Sequence, residues 1–229
     1  MRIIACDQLS PEWWAARCGI PTASEFGRII TPKKMQYAAA AEDYINELIA
    51  DRICQCPPYF TEKARPINSY AVRNGTDTEP HARRWFESQC EYEVRQVGFC
   101  TTDDGRFGAS PDCLLYENGE PVGFGEIKVP TPKVHVGYLR AGVVPAEYLP
   151  QTHGALVVGE GQLRFGKFIS YCEGYETLVV HLEPGRFTDR LKECLATFDA
   201  HYQEALKFFR REPLAQTLEA AIAEQRSRQ

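Results

Sequence analysis

Apolar residues recur at three- and four-residue intervals along several stretches of the chain. Between Ala38 and Cys54 they fall at Tyr44, Ile45, Leu48, Ile49 and Ile53, the period of a helix with one buried face. After Gly185 the same spacing runs through Phe187, Leu191, Leu195, Phe198, Tyr202, Leu206 and Phe209. It predicts a long helix that lays one apolar stripe on a sheet, and Pro213 ends or kinks it. Further helices are expected from about Ser69 to Ser88, over Val134–Ala141, and over Ala146–Val158 behind Pro145. Near the N-terminus, Ser10 before Pro11 and Glu12 has the form of a capped helix start, ending near Gly19. Pro21 followed by Thr22-Ala23-Ser24 looks like a second helix start, with Phe26, Ile29 and Ile30 at helical spacing.

The period changes after residue 90. Glu93–Cys100, Phe107–Glu117 and Val122–Val129 are rich in β-formers. Asp103-Asp104-Gly105 and Asn118-Gly119 between them are hairpin signals, so a three-stranded meander is expected. Leu163–Cys172 and Thr177–Leu182 are expected as late strands. The stretch from Cys56 to Pro66 is irregular and carries Lys63 and Arg65, while residues 214–229 suggest an exposed helix or an intersubunit arm.

Composition narrows the class. The 229 residues suffice for one large domain, and no linker interrupts them, so residues 1–229 are taken as a single domain. Hydrophobic residues at 44% and charged residues at 25% are ordinary globular values. No apolar run nears the roughly 18 residues of a membrane span. The N-terminus lacks the apolar core of a signal peptide, so the expected location is cytoplasmic, with the nine cysteines reduced. Cys54-x-Cys56 has no second pair at matching spacing, which leaves a thiolate metal site unsupported. The five histidines are scattered, and only His81 and His153 lie near sequence of interest. With a net charge of −5, any polyanion must be met by a local cluster of Arg and Lys.

Candidate chemistry concentrates between Gly108 and Lys128. Asp112 precedes Glu126 by fourteen residues, and Lys128 follows two residues later. On a strand, Glu126 and Lys128 share a face. With an aspartate from a neighbouring strand, they form a set that binds a hard divalent cation through oxygen and turns an ammonium toward an attacked phosphate. That is what a metal-dependent nuclease requires. The backbone carbonyl of Ile127 would add an oxygen ligand. The ordinary alternative is an exposed Glu–Lys pair with Asp112 capping a turn, but Phe124, Ile127 and Val129 mark a partly buried strand where ionisable groups need a reason.

The motifs Arg17-x4-Thr22-Ala23-Ser24, Gly75-x3-Glu79-x2-Ala82-Arg83, Ser110-Pro111-Asp112, Glu126-Ile127-Lys128 and Tyr148-x2-Gln151 follow one another in this order. In that order they resemble phage lambda exonuclease and related alkaline exonucleases, over about residues 10–155. The resemblance implies an α/β restriction-endonuclease-like core, a mixed central β-sheet flanked by α-helices. It also implies a Mg²⁺-dependent 5′→3′ exonuclease, with Mn²⁺ as a substitute and two ions, that degrades one strand of linear double-stranded DNA to mononucleotides. The 3′ overhangs so produced would serve recombination. The implied partners are double-stranded DNA ends, a ring-shaped homotrimer and a single-strand annealing protein, in a bacterial or phage-infected cell, with no membrane.

Residue by residue, the resemblance makes Asp112 and Glu126 metal ligands, Lys128 the catalytic lysine and Glu79 the carboxylate facing a second metal. It places Gln151 among the catalytic residues with Tyr148, a DNA-binding residue, one turn earlier, and assigns Arg17, Ser24 and Ser110 to a pocket for the 5′-phosphate. A helix start at Ser24 and a planar guanidinium at Arg17 also suit an anion on physical grounds. The alternatives are a plain cap, a surface arginine and, at Glu79, an acid stabilised by its helix dipole. Trp85 and Tyr116 are expected in the core. Two departures stand out: Cys113 replaces the glycine the family commonly has after Ser-Pro-Asp, and Pro150 precedes Gln151, so that helix is expected to be kinked or to start late. Alternative functions on this evidence are a structure-specific or restriction-type endonuclease and a non-catalytic DNA-end-binding protein.

Overall fold

The computed structural model describes residues 1–54 and 70–209. The expectations for Cys56–Pro66, for Pro213 and for residues 214–229 lie outside the described residues. Ten strands and six α-helices are described. In chain order they are β1 Arg2–Ile4, α1 Pro11–Arg17, β2 Ile30–Thr31, β3 Gln36–Tyr37, α2 Ala41–Cys54, α3 Tyr70–Gln89, β4 Glu93–Arg95 and β5 Phe99–Thr101. There follow β6 Gly108–Ala109, β7 Cys113–Glu117, β8 Glu120–Lys128, α4 Pro132–Ala141, α5 Leu149–Val158, β9 Phe165–Ser170, β10 Leu178–Leu182 and α6 Arg186–Phe209.

The main sheet has the order β10-β9-β8-β7-β4. Its β8 and β9 are parallel, and the other pairs antiparallel. A parallel pair needs a crossover, which α4 and α5 supply. On one face, Leu114, Phe124 and Phe168 pack with residues of α2, α5 and α6, among them Tyr44, Leu156 and Leu191. On the other, Cys113, Leu115, Ile127 and Ile169 pack with Ala82 and Phe86 of α3. The sheet is therefore mixed and flanked by helices on both faces, as expected. Asn118 and Gly119 turn from β7 into β8 with φ of 52° and 85°, the left-handed pair that a tight hairpin demands.

The single meander is corrected. The expected strands Glu93–Cys100 and Phe107–Glu117 each break in two. Their halves β5 and β6 join β1, which was not anticipated, in a separate three-stranded sheet. The first break falls beside Gly98, where an added Cβ would stand 2.0 Å from the Cys6 carbonyl oxygen, so the backbones touch. The second falls at Ser110-Pro111-Asp112, where proline has no N–H for a ladder. The expected helix at Thr22 is also corrected: Ala23–Arg28 is a short 3₁₀ turn, and Ile30 already begins β2. Pro150 does not kink a helix. It lies in the first turn of α5, behind a separate 3₁₀ turn at Ala146–Tyr148, where its missing N–H costs nothing.

Candidate active site

The β7–β8 ladder ends at the pair Cys113–Gly125. The next N–H on that edge, Ile127, donates instead to Asp112 Oδ2 at 2.5 Å, so the aspartate stands where the ladder would have continued. Lys128 O accepts from Tyr171 N–H at 2.9 Å on the β9 side. Carbonyls alternate along a strand, which turns the Ile127 carbonyl toward the Asp112 side. Glu126 is only 3% exposed. Its Oε1 accepts from Lys128 Nζ at 2.6 Å and from Gln151 Nε2 at 2.5 Å, so α5 reaches the sheet through Gln151. Lys128 also lies 5.2 Å from the ring of Tyr148, which packs on Phe168.

The electrostatics of this group are strained. Burial, then the charge of Glu126, pushes the Asp112 carboxyl up to about 8 against the pull of Lys128. Burial lowers the Lys128 ammonium, but Glu126 and Asp112 outweigh it and the net shift is upward. In the metal-free protein the two carboxylates thus favour the ammonium form of Lys128. Near neutral pH the metal-free site therefore keeps a proton on Asp112 while the Lys128 ammonium balances Glu126, and a bound cation would take the place of that proton. The donors are all oxygens: carboxylates at Asp112 and Glu126 and the carbonyl of Ile127. That set fits a hard divalent cation such as Mg²⁺.

A second group lies beside the first. Arg17 Nη1 donates to Ser110 Oγ at 3.0 Å, and Nη2 donates to Thr22 Oγ1 at 3.1 Å and Ser24 Oγ at 3.3 Å. Its guanidinium lies 4.2 Å over the ring of Trp13. Burial lowers its pKa to about 10, the sign of a cation that hydroxyls alone do not fully compensate. Ser110 Oγ also accepts from Trp13 Nε1 at 2.9 Å. With both lone pairs engaged, its hydroxyl is left to donate. Ser24 is the second residue of a six-residue 3₁₀ turn and does not cap it. Attraction for an anion therefore comes from the guanidinium and hydroxyls rather than from a helix dipole.

Both groups open on one cleft of about 200 Å³, whose lining includes Arg17, Ser24, Ser110, Asp112, Glu126, Lys128 and Gln151. Glu79 is not in that lining. It lies in the middle of α3, ion-paired with Arg83 at 2.7 Å, though its charge still raises Asp112. Among the described residues, no cluster of three His, Cys, Asp or Glu converges. Tyr148 also lies outside the lining, supporting Lys128 from behind. Trp85 packs near Tyr171, and Tyr116 stacks with Arg95, so both are structural. His153 is buried against Thr188 and Phe187, and the eight described cysteines are free thiols. Sequence reasoning missed Gln8 and Trp13, which line the cleft. The i, i+4 spacing of Trp13 and Arg17 on one helix was a usable signal; an exposed loop glutamine offered none.

Residues 12–162 match the model of the YqaJ-like viral recombinase domain. No curated protein matches. Among solved structures, the fold resembles an alkaline exonuclease from Laribacter hongkongensis at 25% identity and a TM-score of 0.71, covering 91% of this chain and all of that one. The same enzyme in complex with dAMP matches at 26% identity and a TM-score of 0.72, over 91% of this chain and 100% of that one. A phage-related exonuclease from Haemophilus somnus 129PT shares the fold at 9% identity, with a TM-score of 0.52 over 83% of this chain and 96% of that one.

Proposed function

We propose, from the premise that the chain belongs to the YqaJ-like viral recombinase domain family, that this nuclease is a Mg²⁺-dependent 5′→3′ exonuclease. It would act as a single domain on linear double-stranded DNA, release mononucleotides and leave 3′ overhangs for strand annealing. One observation carries the reading: a carboxylate–lysine group and an anion-binding group share one cleft. The first suits phosphodiester hydrolysis, and the second suits the terminal phosphate that marks a 5′ end. The Laribacter relative was solved with dAMP, a mononucleotide, which is the product class proposed here.

Asp112, Glu126 and the Ile127 carbonyl would hold the ion, and Glu79 would serve a second only by leaving its ion pair with Arg83. When bound, Mg²⁺ or Mn²⁺ supplies charge neutralisation at the phosphoryl group and a more acidic water. Lys128, hydrogen-bonded to Glu126, would orient the attacking water and face the phosphoryl oxygens. Gln151 fixes Glu126. Arg17, Ser24 and Ser110 would hold the 5′-phosphate, the Ser110 hydroxyl being free to donate because its oxygen already accepts from Arg17 and Trp13. Tyr148 keeps the lysine in place through its ring face.

The test is a linear duplex labelled separately at each end, carrying either 5′-phosphate or 5′-hydroxyl. The expected result is Mg²⁺-dependent release of the 5′ label first, faster from the phosphorylated end. Release from the 3′ end first would refute the polarity. Cutting of a covalently closed circle would replace the reading with an endonuclease, and absence of any release with Mg²⁺ would leave only end binding.

A further inference from the structure

The β5–β6 ladder ends at Cys100–Ala109. Beyond it lie the bend at Val97-Gly98 and the turn at Ser110-Pro111, where the strands change sheets. Two side chains from the N-terminal segment bridge the same gap. Gln8 Nε2 donates one proton to Val97 O at 2.9 Å and the other to Pro111 O at 3.0 Å. Trp13 Nε1 shares its single proton between Gly98 O and Ser110 Oγ, both at 2.9 Å.

The bridged turn carries Ser110 at its start and Asp112 at its end. Ser110 belongs to the anion group and Asp112 to the carboxylate group, so the position of this turn sets the distance between the two. Trp13 does more at the anion end. Its ring supports the Arg17 guanidinium at 4.2 Å. Its N–H also takes a lone pair of Ser110 and so leaves the serine proton for an outside acceptor.

We infer that Gln8 and Trp13 are positioning residues that clamp the Ser110–Asp112 turn and hold the phosphate pocket in register with the hydrolytic carboxylates. The inference rests on the proposed 5′-phosphate pocket. Neither side chain touches the reacting atoms; both act through Ser110, Pro111 and Arg17. Register of this kind matters because small misplacements of a bound end lose much of the rate that orientation supplies.

The experiment compares wild type, Gln8→Met, Trp13→Phe and the double variant on duplexes ending in 5′-phosphate or 5′-hydroxyl. Gln8→Met keeps the side-chain length and removes the donor; Trp13→Phe removes the donor and leaves a smaller aromatic face under Arg17. In each single variant the ratio of kcat/KM for phosphate over hydroxyl ends is expected to fall about fivefold or more, chiefly through KM. Because both clamp one turn, the double variant is expected to lose little beyond the larger single loss. Gln8 is exposed, so its replacement does not threaten folding, and the result for Gln8→Met stands even if Trp13→Phe does not fold. A lowered melting temperature with an unchanged ratio would mark a merely structural role and overturn the inference, as would losses that multiply in the double variant. A wild type without phosphate preference would overturn the pocket and the clamp together. Preference kept in both variants would overturn the clamp alone.

Discussion

At Lys128 a half-buried ammonium is hydrogen-bonded to Glu126 and feels the charge of Asp112, and the shift of its pKa is upward. Its contribution is therefore charge and orientation. Lys128→Ala is expected to lower turnover about a hundredfold or more while leaving duplex binding largely intact, measured by single-turnover cleavage and by filter binding. Asp112 gives a pH signature. Its carboxyl moves from an ordinary 3.8 to about 8 in the fold. Between those values the folded protein keeps a proton that the unfolded chain has released, so the metal-free protein loses stability as pH rises from about 4 to about 8. Urea unfolding in EDTA at pH 5 and pH 9 checks this, and Asp112→Asn should flatten the difference. Leu9 stands beside the clamp residue Gln8 with φ of 67° and is 68% exposed. A leucine is strained there and buries little, so Leu9→Gly is expected to add about 0.5–1 kcal/mol of stability, read from the urea midpoint. The sequence pointed to Asp112 and Lys128 as a charged set on a partly buried strand, whereas the left-handed turn at Leu9 is not written in local sequence.

Between elements, glycine makes the sheet close. Phe124 pairs with Gly166 across β8 and β9, and a Cβ at Gly166 would stand 2.4 Å from the Phe124 ring. That ring is fully buried, so it cannot move aside. Gly166→Ala is expected to cost about 1–3 kcal/mol, measured by thermal or urea unfolding, with activity lost in step because β8 carries Glu126 and Lys128. Gly125 makes a similar allowance for Cys113, whose Sγ would be 2.6 Å from an added Cβ. The departure from glycine at position 113 is thus accommodated across the strand pair. The helices were legible because a 3.6-residue period and caps such as Ser10, whose Oγ accepts from Trp13 N–H at 3.2 Å, are local properties. The strand breaks were not, since a backbone contact such as Gly98 against Cys6 joins residues far apart in sequence.

For the whole molecule, a subunit with a net charge of −5 must hold DNA through local cations, and a ring of copies would concentrate them around the duplex. The homotrimer that the resemblance implies would give a sedimenting particle with three times the mass of one chain, checked by analytical ultracentrifugation; a monomer at working concentration would remove the ring. Among the described residues no helix is long and apolar enough to cross a membrane. The sequence by itself determined most helices, the Asn118-Gly119 hairpin and the common face of Glu126 and Lys128, because those follow from periods of two and 3.6 residues and from turn chemistry. Of the residues named through the ordered motifs, Arg17, Ser24, Ser110, Asp112, Glu126, Lys128 and Gln151 line the cleft, whereas Glu79 and Tyr148 do not. Only the tertiary structure decided that the strands divide into two sheets and that Gln151 reaches Glu126. It alone joined Arg17 to Ser110 and clamped the turn to Asp112 from Gln8 and Trp13. Each of those depends on hydrogen bonds and packing between segments distant in the chain, where no local period constrains the partners.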